Sequence, residues 1–307
     1  MDRDIRIVFM GTPDFAVASL KALLDEKFNV AAVVTAPDKP AGRGLQLQMS
    51  AVKRFALERG LKVLQPLKLK SPEFLEQLKG INPDLQVVVA FRMLPEIIWN
   101  LPAMGTINVH GSLLPKYRGA APINWAIING EKETGVTTFK LKHEIDTGNI
   151  LLQQSIPISE NETAGELHDV MMNVGAQLLV KTVHGLIDGS LQETPQPQIA
   201  NAPHAPKIFT EQCKIIWQQD INSIHNIIRG LSPFPGAFTS FNNKILKIYR
   251  SEKEITDTSI EPGQYLTDKK SYLKFAGTNG YIHVSELQPE GKKKMKIDEF
   301  LRGYRFD

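Results

Sequence analysis

The chain has 307 residues, 42% of them hydrophobic, and a formal net charge of +3. Its length suggests two domains rather than one core, and its hydrophobic share is ordinary for a soluble globular protein. The single cysteine, Cys213, excludes an internal disulfide and a thiolate metal cluster, and we expect no metal. We interpret Cys213 as a half-buried strand thiol rather than a nucleophile.

Membrane and export signals are not expected. No apolar stretch approaches the length that spans a bilayer, and the start, Met1-Asp2-Arg3-Asp4, lacks the cationic and apolar regions of a secretory signal. We therefore expect a cytoplasmic protein without membrane association.

The first part of the chain alternates β-prone runs with helical stretches. Ile5–Met10 ends in the turn Gly11-Thr12-Pro13-Asp14, and apolar residues at helical spacing follow it. The turn holds one glycine and lacks Gly-x-Gly-x-x-Gly, so a dinucleotide is not expected there. The repetition predicts a mainly parallel, Rossmann-like sheet. Further predicted elements are strands at Asn29–Thr35, Asp84–Ala90 and Thr106–His110 and a helix at Ser71–Lys79, and two apolar runs follow at Val136–Leu141 and Ile150–Ile156.

Polar side chains meet at the end of the predicted strand Thr106–His110. Side chains alternate on a strand, so Asn108 and His110 face one surface while Val109 faces the opposite layer. Asp146 lies in a glycine-containing turn between two apolar runs, and that loop can carry it toward the strand end. These groups suit an acyl transfer, because an amide and a protonated imidazole can stabilise a developing oxyanion.

Each of these residues also has a simpler interpretation. Taken alone, Asn108 would more often cap a turn, His110 would be a hydrogen-bonded structural histidine, and Asp146 would form an Asx turn. The other histidines show no pairing at metal-ligand spacing, so we expect surface or structural roles for them.

Beyond the predicted sheet the pattern changes. After Thr163 a long amphipathic helix is predicted to about Asp188, and the proline-rich stretch Glu193–Pro206 predicts an extended linker. Short β-prone runs with turn residues then predict a small barrel. These runs are Lys214–Trp217, Ala237–Phe241, Leu246–Tyr249, Tyr272–Phe275 and Tyr281–Leu287, with a helical piece at Ile221–Arg229. The expected organisation is an α/β domain over 1–190, a linker over 191–207 and a smaller β-barrel domain over 208–307.

Positive charge is concentrated in the later segment. Residues 207–307 hold 16 Lys and Arg against 12 Asp and Glu, whereas residues 1–206 hold 20 against 21. Such an asymmetry fits a polyanionic partner, although a surplus of four charges is small. The run with the highest density of positive charge is Lys292-Lys293-Lys294-Met295-Lys296. Two interpretations of it are equally good: a solvated hairpin or edge strand, and a phosphate contact.

The motifs in the middle of the chain match those of a known family. Asn108 and His110 are followed by Ser-Leu-Leu-Pro over 112–115, Arg-Gly-Ala-Ala-Pro over 118–122 and Asp-Thr-Gly over 146–148. This pattern resembles the 10-formyltetrahydrofolate-dependent formyltransferases, and the match extends over essentially the whole chain. The other matching segments are 8–16, 38–44, 205–208 and 233–237. The resemblance implies an OB-like form for the predicted barrel and a role for it in tRNA binding.

Within this family the resemblance is greatest to the members that formylate initiator methionyl-tRNA. It implies that 10-formyltetrahydrofolate is the co-substrate and that Asn108, His110 and Asp146 are catalytic. The residues implied in folate binding are Ser112, Leu113, Leu114 and Pro115. For Leu113 and Leu114, a position in the core beneath a loop is an equally good interpretation as folate binding.

Two further segments carry implied binding roles. In the family members that act on tRNA, a basic insertion reaches the acceptor end of the tRNA. Lys39 and Arg43, in the loop 36–50, are therefore the candidate tRNA contacts. The alternative interpretation of this segment is a mobile surface loop. Segment 87–95 should line the pteridine slot. It departs from the family pattern, with Ala90-Phe91-Arg92 where the family usually has Ala-Tyr-Gly, so a bulky charge replaces a flexible glycine within the expected folate contacts.

Two rival functions stay open from the sequence. Another formyltransferase of the same fold, acting on an amino sugar or a purine precursor, would need neither the loop 36–50 nor a basic second domain. A noncatalytic RNA-binding protein on the same scaffold would bind tRNA in a salt-sensitive way without formyl transfer. The intact set of Asn108, His110 and Asp146 argues against that second rival. We expect a monomer whose partners are folate and initiator methionyl-tRNA.

Overall fold

The computed structural model describes residues 5–41 and 46–305, which divide into two compact units. The first unit comprises residues up to 118 together with 135–156 and 169–203. The second comprises 119–134, 157–168 and the residues from 204 onward. Each unit is therefore assembled from separate stretches of the chain.

Helices and strands alternate through the first two thirds of the chain, as the hydrophobic pattern predicts. In chain order they are β1 (Ile7–Gly11), α1 (Asp14–Asp25), β2 (Val30–Val34), β3 (Lys39–Ala41), β4 (Gln46–Gln48), α2 (Ala51–Glu58), β5 (Val63–Leu64), α3 (Pro72–Ile81), β6 (Leu85–Val89), α4 (Glu96–Trp99), β7 (Thr106–His110), β8 (Arg118–Gly119), α5 (Pro122–Ile128), β9 (Glu133–Lys140), β10 (Ile150–Pro157) and α6 (Ala164–Ile187).

The central sheet has seven strands in the order β10-β9-β7-β6-β1-β2-β5. Strands β1, β2, β5, β6 and β7 pair in parallel, and β9 pairs antiparallel with β7, so the mainly parallel Rossmann-like sheet is confirmed. The chain builds outward from β1 to β5 and then from β6 in the other direction, so the order reverses between β1 and β6. Ligands of open α/β sheets bind outside the carboxyl ends of the strands at such a reversal.

Local sequence accounts for several helix starts. Ser50 and Ser71 accept hydrogen bonds from backbone amides in the first turns of α2 and α3, and Pro72 occupies the first position of α3. Thr163 and Glu166 bond each other's backbone amides at the start of α6, as a capping box does.

Helix α6 has 24 residues and, by length and composition alone, is long and apolar enough to cross a membrane. The expectation that no stretch reaches this length is therefore wrong. Core helices of globular proteins meet the same criteria, and Met171, Leu179 and Val183 of α6 are buried. A Cβ built at Gly175 would lie 3.3 Å from Val109 Cγ1, so the helix packs closely behind β7.

The second unit contains an antiparallel sheet in the order β12-β13-β16-β15-β14, with β17 paired to β16. Irregular register between Ile248 and Ser251 bends β13, and the sheet curls into a half-barrel consistent with the small OB-like domain expected. Its elements are β11 (His204–Ala205), a 3₁₀ helix (Thr210–Cys213), α7 (Ile221–Gly230), β12 (Ala237–Phe241), β13 (Lys244–Ile255), β14 (Tyr265–Thr267), β15 (Leu273–Ala276), β16 (Gly280–Pro289), β17 (Met295–Lys296) and α8 (Ile297–Gly303).

The predicted strand Lys214–Trp217 is wrong. Only Lys214 forms an isolated bridge, to Phe238, and Cys213 ends the preceding 3₁₀ helix. Ile215 and Trp217 are buried in the apolar core of this unit, so their alternation reflects packing rather than a strand ladder. The Cys213 thiol is itself buried, and burial raises its pKa, as suits an unreactive core residue.

Candidate active site

Asn108 is the central residue of β7 and His110 its last, and this strand lies inside the sheet, one strand away from the reversal in strand order. Asn108 pairs with Val88 of β6 and with Phe139 of β9. The Asn108 side chain is half-buried, and its amide makes no hydrogen bond to any other residue that the structure describes. A half-buried amide of this kind is available to a ligand at the sheet edge.

The imidazole of His110 is held by the backbone at one nitrogen and faces a carboxylate with the other. His110 is 7% exposed. Its Nε2 donates to the carbonyl of Tyr117 at 2.9 Å. Its Nδ1 lies 3.8 Å from Oδ2 of Asp146, an ion-pair distance that is too long for a hydrogen bond. The structure thus brings His110 and Asp146 together across 36 positions of sequence.

Both residues that face His110 have a left-handed backbone. Asp146 has φ +54° and Tyr117 has φ +59°. Aspartate tolerates this region, but a bulky tyrosine adopts it only where the surrounding structure imposes it. The Tyr117 amide donates to the carbonyl of Pro203 at 2.6 Å, which is one such restraint.

Gly148 allows the loop that carries Asp146 to lie against the end of β9. A Cβ at position 148 would be 1.5 Å from the carbonyl oxygen of Lys140. No side chain fits there, so close packing against Lys140 explains why the third residue of the Asp-Thr-Gly motif is a glycine.

Sequence reasoning missed Gln196, which lies in the predicted linker. Its Nε2 donates to the carbonyls of Asp146 and Gly148, both at 2.8 Å. Its Oε1 accepts from the Arg118 guanidinium at 3.1 and 2.5 Å. A single glutamine in a stretch of proline, asparagine and alanine carries no pattern that predicts these contacts, since they join residues 48 or more positions apart.

The loop 112–115 is held from beneath by a buried threonine. Thr137 Oγ1 donates to the carbonyl of Ser112 at 2.6 Å and accepts from the amide of Leu114 at 3.1 Å. The Ser112 hydroxyl is fully buried and donates to the carbonyl of Lys116 at 2.7 Å. Leu114 is buried against Phe139 and Ile150. The core interpretation therefore applies to Leu114, while the folate role of Ser112, Leu113, Leu114 and Pro115 stays a prediction.

Segment 87–95 leaves β6 at the same edge of the sheet. Ala90 has φ +47°, so the chain turns sharply immediately after the strand. Arg92, which stands in place of the expected glycine, donates to the carbonyls of Pro66 and Leu67, the latter at 3.0 Å. Partial burial lowers the pKa of Arg92. The added charge is thus directed to backbone carbonyls of a neighbouring loop.

In the candidate tRNA loop the short strands β3 and β4 pair antiparallel. Lys39 is exposed on β3, whereas Arg43 lies outside the described residues. Asp38 accepts from Lys53 at 2.5 Å and from Gln65 at 2.9 Å. The hydrogen bond from Lys53 lowers the pKa of Asp38. Asp38 is therefore fixed to α2 through Lys53, and Lys39 is the residue that directly follows Asp38.

Metal ligands do not cluster in the part of the chain that the structure describes: residues 5–41 and 46–305 contain no group of three or more His, Cys, Asp or Glu placed to hold an ion. The arrangement of Asn108, His110 and Asp146 instead offers hydrogen-bond donors beside a carboxylate, which is what an acyl transfer through an oxyanion requires.

Comparison with known proteins identifies the family. The formyl transferase family model matches residues 5–183, and the model of the formyl transferase C-terminal domain matches residues 207–305. The chain belongs to the formyl transferase family. Methionyl-tRNA formyltransferase from Bacteroides fragilis is 49% identical over 309 residues, covering 98% of this chain and 95% of that protein. The enzyme of the same name from Parabacteroides distasonis is 50% identical over 312 residues, covering 98% and 96%.

Solved structures of formyl transferases share the fold. WlaRD, a sugar 3N-formyl transferase crystallised in the presence of dTDP and 5-N-formyl-THF, matches with a TM-score of 0.69 and 24% identity over 95% of this chain and all of that one. An N-formyltransferase from Helicobacter canadensis, in complex with folinic acid and dTDP-3-aminofucose, matches with a TM-score of 0.68 and 25% identity, covering 93% and 99%.

Proposed function

We propose that this protein transfers the formyl group of 10-formyltetrahydrofolate to the amino group of methionine esterified to initiator tRNA. The observation that carries the proposal is the placement of His110 Nδ1 3.8 Å from Asp146 Oδ2, on the strand that also carries Asn108, whose amide bonds no other residue that the structure describes. The tRNA substrate is favoured over an amino sugar because relatives named methionyl-tRNA formyltransferase are about 50% identical over 98% of the chain.

The reaction joins the amine nitrogen to the formyl carbon, and the carbonyl oxygen takes up negative charge. When the carbonyl re-forms, the bond between the formyl carbon and N10 breaks. The amine loses one proton and N10 gains one, so the products are N-formylmethionyl-tRNA and tetrahydrofolate. The barrier is lowered most by donors that already point to the place where the oxygen becomes charged.

Asn108 and His110 supply these donors. The Asn108 amide donates to the oxyanion, and protonated His110 donates from Nδ1 because its Nε2 is already bonded to the carbonyl of Tyr117. Asp146 stabilises the imidazolium form electrostatically and accepts the proton of the amine through a water.

The remaining parts have binding roles in this proposal. Loop 112–115 and segment 87–95 hold the folate at the carboxyl edge of the sheet, mainly through backbone groups. Lys39 and Arg43 contact the tRNA. We assign catalysis to residues 1–190, an extended linker to 191–207 and further tRNA binding to 208–307, in a monomeric cytoplasmic enzyme.

One assay with three acceptors tests the proposal. The purified protein is incubated with 10-formyltetrahydrofolate and with initiator methionyl-tRNA, elongator methionyl-tRNA or a nucleotide-linked amino sugar. We expect formylation of the initiator species, and we expect His110→Ala to lower turnover by roughly two to three orders of magnitude while the protein stays folded. Formylation of the sugar alone would replace the substrate. Binding of tRNA without formyl transfer would indicate a noncatalytic RNA-binding protein.

A further inference from the structure

One side chain outside the proposed catalytic set connects the two segments that face His110. Gln196 donates from Nε2 to the carbonyls of Asp146 and Gly148, both at 2.8 Å, and accepts at Oε1 from Arg118. All the hydrogen-bonding groups of the Gln196 amide are thereby used. The amide orientation is fixed as well, because the reverse orientation would place its oxygen against two carbonyl oxygens.

We infer that Gln196 is a positioning residue for formyl transfer: its amide fixes the backbone of the Asp146 loop and thereby sets the position of the carboxylate opposite His110. This inference rests on the proposed function. The loop needs such a restraint from outside, because Asp146 has a left-handed backbone and the preceding residues 142–145 are exposed.

The same side chain is connected to the other nitrogen of the imidazole. Arg118, which Gln196 accepts from, directly follows Tyr117, and the Tyr117 carbonyl accepts from His110 Nε2. Gln196 thus bridges the segment that orients the ring and the loop that carries the carboxylate. The separation of 3.8 Å between His110 and Asp146 is restrained from both sides by one amide.

The segment that carries Gln196 is anchored beside the loop. The backbone groups of Thr194 and Ile150 bond each other at 2.7 and 2.9 Å. Glu193 pairs with Lys140 at 2.6 Å and accepts from Asn149 at 3.0 Å. Gln196 is therefore held in place by contacts that do not involve its own side chain, so a substitution at this position should release the loop without releasing the segment.

Three variants separate positioning from general stability. Gln196→Met keeps the length of the side chain and removes every hydrogen bond. Gln196→Glu keeps the acceptor for Arg118 but places a carboxylate oxygen against two carbonyls. Gln154→Met is the matched control, since the Gln154 side chain is exposed on β10 and, among the described residues, its amide hydrogen-bonds only the neighbouring carbonyl of Ser155.

We expect Gln196→Met to lower kcat by about 10- to 100-fold with less than about threefold change in KM for either substrate. Gln196→Glu should lose at least as much, and Gln154→Met should match the wild type. In an Asp146→Asn background, Gln196→Met should cost less than about twofold more, because both substitutions act on the same carboxylate. A rise in KM alone, or independent losses that multiply, would overturn the inference.

Hydrogen exchange tests the restraint without substrate. Peptides covering residues 141–152 should exchange faster in Gln196→Met than in the wild type and in Gln154→Met, while peptides from the second unit exchange at the same rate. Unchanged exchange over 141–152 would overturn the inference even if activity falls. If the wild-type protein formylated none of the acceptors, the proposed function would fail, and the exchange rates would still decide whether Gln196 holds the loop.

Discussion

Replacing Gly148 by alanine perturbs the position of Asp146 without touching any group that takes part in the chemistry. The new Cβ would lie 1.5 Å from the carbonyl oxygen of Lys140 and 2.7 Å from its carbonyl carbon. Since non-bonded heavy atoms pack about 3.5 Å apart, residue 148 and the end of β9 must separate by about 2 Å. Lys140 is paired with Ile107 of β7 inside the sheet, so the loop moves rather than the strand.

Movement of the loop affects both the fold and the reaction. Crowding of this size destabilises a protein by about 1 to 3 kcal/mol. Asp146 lies only two residues from the displaced position, and a misplacement of about 1 Å can cost a reaction about 100-fold. We therefore expect Gly148→Ala to lower kcat by about two orders of magnitude, a larger effect than its stability loss would produce in a protein that is still folded.

Initial rates of formylation at saturating substrates, measured beside urea unfolding curves, check this expectation. Gly80→Ala is the control, because a Cβ at position 80, in helix α3, meets nothing within 4 Å. It should retain the wild-type kcat and gain about 0.5 to 1 kcal/mol of stability, as alanine does over glycine within a helix. A folded Gly148→Ala protein with kcat within twofold of the wild type would refute the link between loop position and catalysis.

The remaining predictions concern an oxyanion donor, the tRNA loop and a buried histidine. Asn108→Ala should cost about 2.7 to 4 kcal/mol of transition-state stabilisation with an unchanged urea midpoint, and near-normal turnover would remove Asn108 from the mechanism. Arg43→Ala and Lys39→Ala should raise KM for tRNA and weaken its salt dependence while KM for folate stays constant; equal changes in both would count against the loop. Burial lowers the pKa of His225 from 6.5 to about 4, so between these values the unfolded chain binds more protons than the folded one. The free energy of unfolding should therefore fall by at most about 3 kcal/mol as the pH drops through this window, and His225→Gln should lose this dependence in urea titrations; equal pH slopes for both proteins would contradict it.

The strands of the central sheet could be predicted because their information is local. Thr106–His110 is predicted and observed with the same bounds, and β1, β2 and β6 are found within a few residues of the runs that predict them. Strands β9 and β10 largely coincide with the two apolar runs that flank the Asp146 turn. The short strands β5 and β17 were missed, since a pair of residues becomes a strand only when a neighbouring strand supplies the hydrogen bonds. Helix α8 was also missed, although Ile297, Phe300, Leu301 and Tyr304 recur at helical spacing and pack on one core.

The candidate site likewise contains some features that the local sequence predicts and others that it does not. Strand alternation and a glycine-containing turn are enough to predict that Asp146 approaches His110, as the 3.8 Å separation shows, while the shared role of Asn108 stays a prediction. The Tyr117 carbonyl that holds the imidazole could not be predicted, because every residue has a carbonyl and only the left-handed backbone at Tyr117 directs this one. Gln196 could not be predicted because its partners are distant in sequence and are themselves backbone atoms.

The bond from His110 Nε2 to a carbonyl decides what the other nitrogen can do. A carbonyl only accepts, so Nε2 keeps its proton, and neutral His110 presents a lone pair at Nδ1. Only protonated His110 can donate from Nδ1 to an oxyanion. In the proposed mechanism, a carboxylate within hydrogen-bond distance would bond that proton itself, whereas a carboxylate at 3.8 Å, as Asp146 is here, would stabilise the charge and leave the Nδ1 proton available to substrate. In the proposed mechanism this distance is a functional property. Gly148 allows the loop to approach and Gln196 holds it there, so we expect substitutions at either residue to lower turnover although neither side chain contacts the reacting carbon.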